Sequence, residues 1–302
     1  MVVAALALIE WGTRVEVTPG TADLARYRNF PKQARELVAG PEPRIAFIGN
    51  SVTDRVQAAV LADEWRRITG ASPSIEKFIA YYSNLSTWSR MYAQYFWKQQ
   101  LAPDLVVITL YDGALFADSE VMDVGNLALF FTGPEDRDSL FEHEMKTLQH
   151  RADYLLSSTS QAFAARDRIR ARVLNVIPGY RPFATVTNEL NFEFQKRQAE
   201  PGPEPQNTYH ALDSLLAHAR ASGVTVCFVA FPIRPGPEGH KAYIISPTAL
   251  DRVRESGMVF LDLREMDELT PDMYKDNVHL NGKGQPIYTR RLARELHRIW
   301  NH

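Results

Sequence analysis

The stretch Ile45-Ala46-Phe47-Ile48-Gly49-Asn50-Ser51-Val52-Thr53-Asp54 decides the fold prediction for this chain. Its first four residues are apolar and continuous, which is typical of a strand buried on both faces of a parallel sheet. Gly49 ends the strand, and the apolar spacing over 53–69 predicts a helix that begins at once and closes at Gly70. Ser51 is therefore expected at the carboxyl edge of the sheet, where open α/β folds build their sites.

Strands and helices alternate along most of the chain. The continuous apolar residues of Leu105–Leu110 give the strongest signal for a buried strand. The alternation predicts a three-layer α/β/α sandwich built on a parallel sheet. Further strands are expected at 74–80, 224–231 and 258–263, and further helices at 29–39, 87–101, 207–222, 247–256 and 282–300.

Residues 114–200 interrupt this alternation. They are charged and biased toward helix, and they give no strand signal before about residue 173. Because the segment is too long for an ordinary loop, it is interpreted as a helical insertion within a single α/β domain spanning 44–302. Two placements stay open for the insertion. It either covers the carboxyl edge of the sheet and shapes the site there, or it decorates the far side and aids stability.

Composition excludes several classes of protein. The chain has 302 residues, and 34 Lys and Arg against 36 Asp and Glu give a net charge of −2. Without a basic excess, non-specific binding to nucleic acid is disfavoured, and no nucleic-acid partner is expected. The lone cysteine, Cys227, excludes an internal disulfide. No His, Cys and Asp cluster has the spacing of metal ligands, so neither a metal nor another cofactor is expected.

Residues 1–43 are interpreted as an N-terminal lead-in. Residues 2–9 are apolar, but no basic residue precedes them and no cleavage site follows, so they make a poor signal peptide. They are either a buried first element or the end of a membrane anchor, with Trp11 and Arg14 suited to the membrane interface. An extracytoplasmic or membrane-associated location is slightly favoured over a cytoplasmic one. The sequence predicts no oligomeric state.

A second motif lies near the C-terminus. In Asp276-Asn277-Val278-His279, the carboxylate stands three residues before the imidazole, in a loop that opens the last helix. This spacing suits a histidine base whose second ring nitrogen is held by the aspartate. The simpler interpretations are that Ser51 is only a helix cap, and that Asp276 caps a turn beside an unrelated surface histidine.

Together, the two motifs resemble those of the SGNH/GDSL hydrolase family. Gly49-Asn50-Ser51 is similar to the family's nucleophile block, and Asp276 and His279 are similar to its C-terminal block. The resemblance covers 44–112 and 205–300 and leaves the insertion without a counterpart. It implies a flavodoxin-like sheet and a mechanism in which Ser51, His279 and Asp276 act on acyl esters.

The resemblance is incomplete where the oxyanion donors belong. The family's glycine after the second strand is absent from 82–89, and Gly113 stands where its asparagine is expected after the third strand. Asn50 is a further candidate for contact with substrate, and Trp88 is a candidate for stacking on a sugar ring. The candidate oxyanion donors are Ser51, Asn84, Ser86, Ser89, Asp112 and Gly113.

Three functions remain open at this point. The first is a serine esterase acting on a small-molecule or carbohydrate acyl ester, with O-acyl groups on carbohydrate favoured. The second is an O-acyltransferase of cell-envelope polysaccharide that uses the same triad, which a cap formed by 114–200 would favour by excluding water. The third is a binding protein that keeps the fold without catalysis. Fold resemblance does not choose among them.

Overall fold

The computed structural model describes residues 10–12, 22–119, 121, 123–166, 169–170, 208–236 and 243–300. The apolar run 2–9, Arg14 and residues 171–200 of the insertion lie outside the described residues. Among those that are described, no helix is long and apolar enough to cross a membrane.

Five parallel strands form one sheet in the order β2-β1-β3-β4-β5. They are β1 Arg44–Gly49, β2 Ser74–Ile79, β3 Leu105–Leu110, β4 Thr225–Ala230 and β5 Val259–Asp262. This is the flavodoxin-like order, in which ligand sites form at the carboxyl ends of the strands beside the β1/β3 switch point. The predicted three-layer α/β fold is confirmed.

Helices accompany these strands along the described part of the chain. They are α1 Ala22–Ala39, α2 Ala58–Thr69, α3 Leu85–Tyr92, α4 Val124–Asn126, α5 Arg137–His143, α6 Leu148–Thr159, α7 Gln161–Ala164, α8 His210–Ala221, α9 Pro247–Glu255 and α10 Gly284–Trp300. Helices α3 and α4 continue as π-helical segments at Ala93–Trp97 and Leu127–Phe131. Short 3-10 helices occupy Thr53–Arg55, Gly113–Phe116, Pro134–Asp136 and Pro271–Met273.

Alternating side chains of the strands enter two hydrophobic cores, one on each face of the sheet. On β1, Ala46 and Ile48 enter the core beneath α1, α3, α8 and α9, whereas Ile45 and Phe47 enter the core beneath α2 and α10. A strand buried on both faces needs apolar residues at every position, which is the pattern that the sequence shows.

The described part of the insertion extends one helical layer. Leu127, Phe131 and Leu140 belong to the same core as α1 and α3. The ring of Tyr27 on α1 lies 5.5 Å from Phe130 and 5.2 Å from Phe131, between ring centroids. The described residues of 114–166 therefore pack beside that face of the sheet, against helices of the α/β core.

Two predicted helix starts are wrong. Helix α1 begins at Ala22 rather than 29, because Leu24, Tyr27 and Phe30 continue its buried face toward the N-terminus. Helix α2 begins at Ala58 rather than 53, and only a 3-10 turn follows the nucleophile motif directly. Gln57 is extended and its N–H donates to Thr289 Oγ1 on α10 at 3.2 Å, a tertiary contact that helical spacing does not reveal.

Candidate active site

A tight turn after β1 places Ser51 at the carboxyl edge of the sheet. A Cβ atom on Gly49 would lie 2.0 Å from Thr53 Oγ1, so only glycine allows this close approach. Asn50 Oδ1 accepts the N–H of Val52 at 3.1 Å, and the carbonyl of Asn50 accepts the N–H of Asp54 at 3.0 Å. These bonds fix the backbone on both sides of the serine.

Ser51, His279 and Asp276 form a continuous hydrogen-bonded chain. Ser51 Oγ lies 2.8 Å from His279 Nε2. His279 Nδ1 lies 2.8 Å from Asp276 Oδ2 and 3.0 Å from Oδ1. A carboxylate on Nδ1 favours the tautomer with its proton there, which leaves Nε2 free to accept the serine proton.

The loop before α10 holds the aspartate in its ionised form. Burial would raise the pKa of Asp276, but the N–H groups of Val278 and His279 and the imidazole outweigh it, so the pKa lies below its ordinary value. Asp276 Oδ1 accepts those N–H groups at 2.9 and 2.8 Å. The N–H of Lys275 donates to the carbonyl of His279 at 2.7 Å and closes the loop.

An open cavity of about 450 Å³ contains Ser51, Asp276 and His279. Asn50, a predicted substrate contact, also lines it. The remaining lining residues, which sequence reasoning missed, are Arg55, Tyr81, Tyr82, Ser83, Tyr111 and Lys275. Most of them directly follow β1, β2 or β3, so the position of each strand end was the signal that could have found them.

The loop after β2 forms one wall of this cavity. Tyr82 has a φ of +51°, which is uncommon for a residue other than glycine. Its side chain is 77% exposed. Ser83 Oγ donates to the carbonyl of Ala80 at 2.5 Å and accepts the indole N–H of Trp88 at 2.7 Å. Two hydrogen bonds therefore hold Ser83 in place at the cavity wall.

The structure corrects the sugar-stacking assignment of Trp88. Its side chain is fully buried, and its indole N–H is occupied by Ser83, so no face of the ring meets the cavity. The exposed aromatic side chain is Tyr82, six residues earlier. A helical residue that fits an aromatic pattern is more often a packing residue than a ligand contact, and Trp88 follows that rule.

Three further oxyanion candidates lie outside the cavity because of how α3 begins. Asn84 caps the helix by accepting the N–H of Thr87 at 3.3 Å, and its Nδ2 donates to Ser119 Oγ at 2.6 Å. Ser86 and Ser89 line a separate cavity beside the insertion. Positions 86 and 89 share one face of the helix, and that face lines this second cavity rather than the one that contains His279.

The two candidates after β3 are also absent from the cavity wall. Tyr111 lines the cavity instead, while Asp112 is exposed. Gly113 packs against another loop, since a Cβ atom there would lie 1.7 Å from the carbonyl oxygen of Ile244. Gly113 thus allows two backbone segments to approach closely, and it does not lie where it could donate to an oxyanion.

No described residue of the insertion lines the cavity that contains Ser51. Of the two placements left open, residues 114–119, 121, 123–166 and 169–170 therefore do not follow the one that shapes the site, and residues 171–200 lie outside the described part. Within the described residues there is also no group of three or more His, Cys, Asp or Glu side chains that could hold a metal ion.

Comparison with known proteins finds only distant structural likeness. No protein-family model matches the chain, and no curated protein matches it. A variant of Axe2, an acetyl-xylooligosaccharide esterase from Geobacillus stearothermophilus, superposes with a TM-score of 0.43 at 13% identity over 85% of this chain and 94% of that one. The acetylxylan esterase Axe2 itself gives a TM-score of 0.42 with the same identity and coverage. At these values, the chemistry of the site has to be read from its own geometry.

Proposed function

We propose that this protein is a serine esterase that hydrolyses acyl esters, with O-acyl groups on carbohydrate as the substrate class. The observation that carries the proposal is the chain of contacts from Ser51 Oγ through His279 to Asp276, at 2.8 Å for each step. This order of groups is that of a catalytic triad, in which an imidazole base activates a hydroxyl nucleophile and an ionised carboxylate orients the imidazole.

Acylation begins when Ser51 Oγ attacks the carbonyl carbon of the ester. His279 Nε2 takes the serine proton, and Asp276 stabilises the imidazolium that forms. As the tetrahedral intermediate collapses, the bond to the alcohol oxygen breaks, and His279 returns the proton to that oxygen. The alcohol leaves, and the acyl group stays on Ser51 as an ester.

The oxyanion of the intermediate needs donors close to Ser51. The backbone N–H of Ser51 is suited because the oxyanion forms on the carbon that bonds to its own side chain. The backbone N–H of Ser83 is the proposed second donor, since Ser83 lines the same cavity and its side chain is held by Ala80 and Trp88. Both proposed donors are backbone groups; Ser51 is a candidate that the sequence already indicates, and only Ser83 was missed.

Water completes the reaction in this proposal. His279 takes a proton from a water molecule, the resulting hydroxide attacks the acyl-serine, and the free acid leaves as Ser51 regains its proton. Hydrolysis is preferred to acyl transfer because, within the described residues, no part of the insertion covers the cavity and keeps water out.

Labelling with a fluorophosphonate probe tests the nucleophile directly, because such probes modify activated serines. We expect labelling and turnover of a p-nitrophenyl acetate reporter in the wild type and neither in Ser51→Ala. Ser214→Ala is the matched control because Ser214 lines the other cavity, and it should keep both signals. Equal labelling of Ser51→Ala and the wild type would show that another serine reacts and would refute the proposal.

A further inference from the structure

Two cationic side chains line the catalytic cavity without an ion-pair partner in the described part of the chain. Arg55 stands in the 3-10 turn that follows the nucleophile, and Lys275 precedes Asp276 in the loop before α10. The Nε atom of Arg55 is buried and has no hydrogen-bond partner among the described residues. A buried guanidinium nitrogen without a partner is costly unless a ligand satisfies it.

The carboxylates next to these cations in sequence, Asp54 and Asp276, already have other partners. Asp54 accepts the Tyr81 hydroxyl at 2.8 Å and the Lys77 ammonium at 3.2 Å. Burial opposes its ionisation, but Tyr81 and Lys77 together hold the pKa of Asp54 below its ordinary value. Asp54 therefore directs its charge toward β2 rather than toward Arg55.

Asp276 lines the cavity beside Lys275, and its oxygens already accept hydrogen bonds from His279 and from two backbone N–H groups. Its negative charge is needed by the imidazole, so it does not neutralise Lys275. The wall around Ser51 thus contains two positive charges that make no salt bridge within the described residues.

We infer that the substrate of the proposed esterase carries an anionic group, a carboxylate or a phosphate, beside the scissile ester, and that Arg55 and Lys275 bind it. This inference rests on the proposed function and adds the substrate class. Arg55 suits the role because its guanidinium offers a planar pair of donors to carboxylate or phosphate oxygens. Lys275 is more exposed and contributes as a point charge at the mouth of the cavity.

The aromatic wall is consistent with a sugar ring that bears the anion. Tyr81, Tyr82 and Tyr111 line the same cavity, and Tyr82 exposes most of its side chain. Aromatic faces supply apolar contact area to a ring, while the cations orient its charged substituent. An acylated sugar acid satisfies both features.

Paired substrates test the inference. The rate of acetate release is measured for an O-acetylated methyl glucuronoside, the matching methyl glucoside and the matching glucoside 6-phosphate. We expect kcat/KM to be about tenfold or more higher for at least one anionic ester than for the neutral one, with the preference shrinking at about 0.5 M salt. Preference for the carboxylate or for the phosphate ester identifies the anion.

Substitutions test whether Arg55 and Lys275 cause the preference for anionic esters. Arg55→Gln should lower the ratio of kcat/KM for the preferred anionic ester to kcat/KM for the neutral ester by about tenfold. Lys275→Gln should act in the same direction with a smaller effect. Lys283→Gln removes the same charge from an exposed lysine that pairs with Asp272 at 3.2 Å, outside the cavity, and should leave the preference unchanged.

Equal kcat/KM for all three esters in the wild type would overturn the inference. An equal loss on the neutral and anionic esters in Arg55→Gln would also overturn it, because Arg55 would then act on the oxyanion or on the fold. Both outcomes leave Ser51 labelling intact. Failure of the proposed function is different, since it abolishes fluorophosphonate labelling and hydrolysis of every ester in the wild type.

Discussion

Two polar cavities in this molecule use charge in opposite ways. The proposed catalytic cavity, of about 450 Å³, contains Arg55 and Lys275, which make no salt bridge within the described residues. The second cavity, of about 140 Å³, lies between α3, the insertion and α8, and its charges are paired. Arg90 contacts Glu144 at 2.5 Å and approaches Asp136 at 3.6 Å, and Lys98 beside it contacts Asp136 at 2.9 Å.

The difference separates a cavity that is proposed to bind a ligand from a cavity whose ion pairs hold two parts of the protein together. Paired charges between α3 and 135–144 fasten the insertion to the α/β core, so their removal is expected to change stability. Unpaired charges beside an activated serine are available to a ligand, so their removal is expected to change selectivity. Four predictions, beyond the substrate tests above, probe this contrast from the largest effect to the smallest.

The largest expected effect comes from removing the base. His279→Ala should lower kcat for ester hydrolysis by about 10⁴–10⁶-fold, because Ser51 then has no group to take its proton. His210→Ala removes an imidazole from the second cavity and should keep activity within about threefold. If the two variants lost activity equally, the two cavities could not be divided into a catalytic and a structural one.

A second large effect is expected from Asp276→Asn, which keeps the shape of the side chain and removes its charge. Because Asn no longer favours the proton on His279 Nδ1, kcat should fall by about 10³–10⁴-fold. The control is Asp272→Asn, an exposed position in the same region that pairs with Lys283. Activity close to that of the wild type in Asp276→Asn would show that the carboxylate does not orient the base.

Glu144→Gln tests the structural cavity. Glu144 is only 4% exposed, and the variant leaves the guanidinium of Arg90 without its nearest counter-charge. The free energy of unfolding should fall by about 2–3 kcal/mol in urea titrations, with kcat unchanged within about threefold. Glu142→Gln, an exposed neighbour, should change it by less than about 0.5 kcal/mol. A loss of activity without a loss of stability would reverse the assignment of the two cavities.

The sequence predicts those parts of this molecule that depend on local pattern. Leu105–Leu110 is a strand with the predicted bounds, because continuous apolar residues at that length have few alternatives. The spacing of Asp276 and His279 also suffices to predict their contact, since three residues of a tight loop bring one side chain back onto the other. The close approach of Ser51 to His279, across 228 positions of sequence, depended on the predicted fold as well.

The parts that the sequence did not predict depend on tertiary contacts. Ser86 and Ser89 follow the end of β2 in sequence, but the face of α3 that carries them turns toward the insertion. Trp88 lies between them in sequence and is buried in the core. Arg55 looks like an ordinary surface residue in the sequence, and its importance emerges only because Asp54 beside it contacts Lys77. Side-chain direction, rather than position along the chain, was the missing information.

The smallest effect concerns the protonation of His218, whose ring stacks on Trp97 with centroids 3.9 Å apart in the second cavity. Burial lowers the pKa of His218 below its ordinary value of 6.5, and the nearby cations Lys98 and Arg90 lower it further against the opposing effect of Asp136. Since the unfolded chain then binds this proton more tightly than the folded one, the contribution to stability is present above pH 6.5 and is lost as pH falls through the folded pKa.

His218→Gln removes this titration and keeps a polar side chain in the cavity. Urea unfolding should show that the wild type loses stability relative to His218→Gln between about pH 7.5 and about pH 5.5, by less than the loss caused by Glu144→Gln. Ester hydrolysis by Ser51 at the upper pH should be the same in both proteins, because His218 does not line the catalytic cavity. A stability difference that stays constant with pH would mean that the proton on His218 is not linked to folding, and that the stacking on Trp97 alone accounts for its place in the cavity.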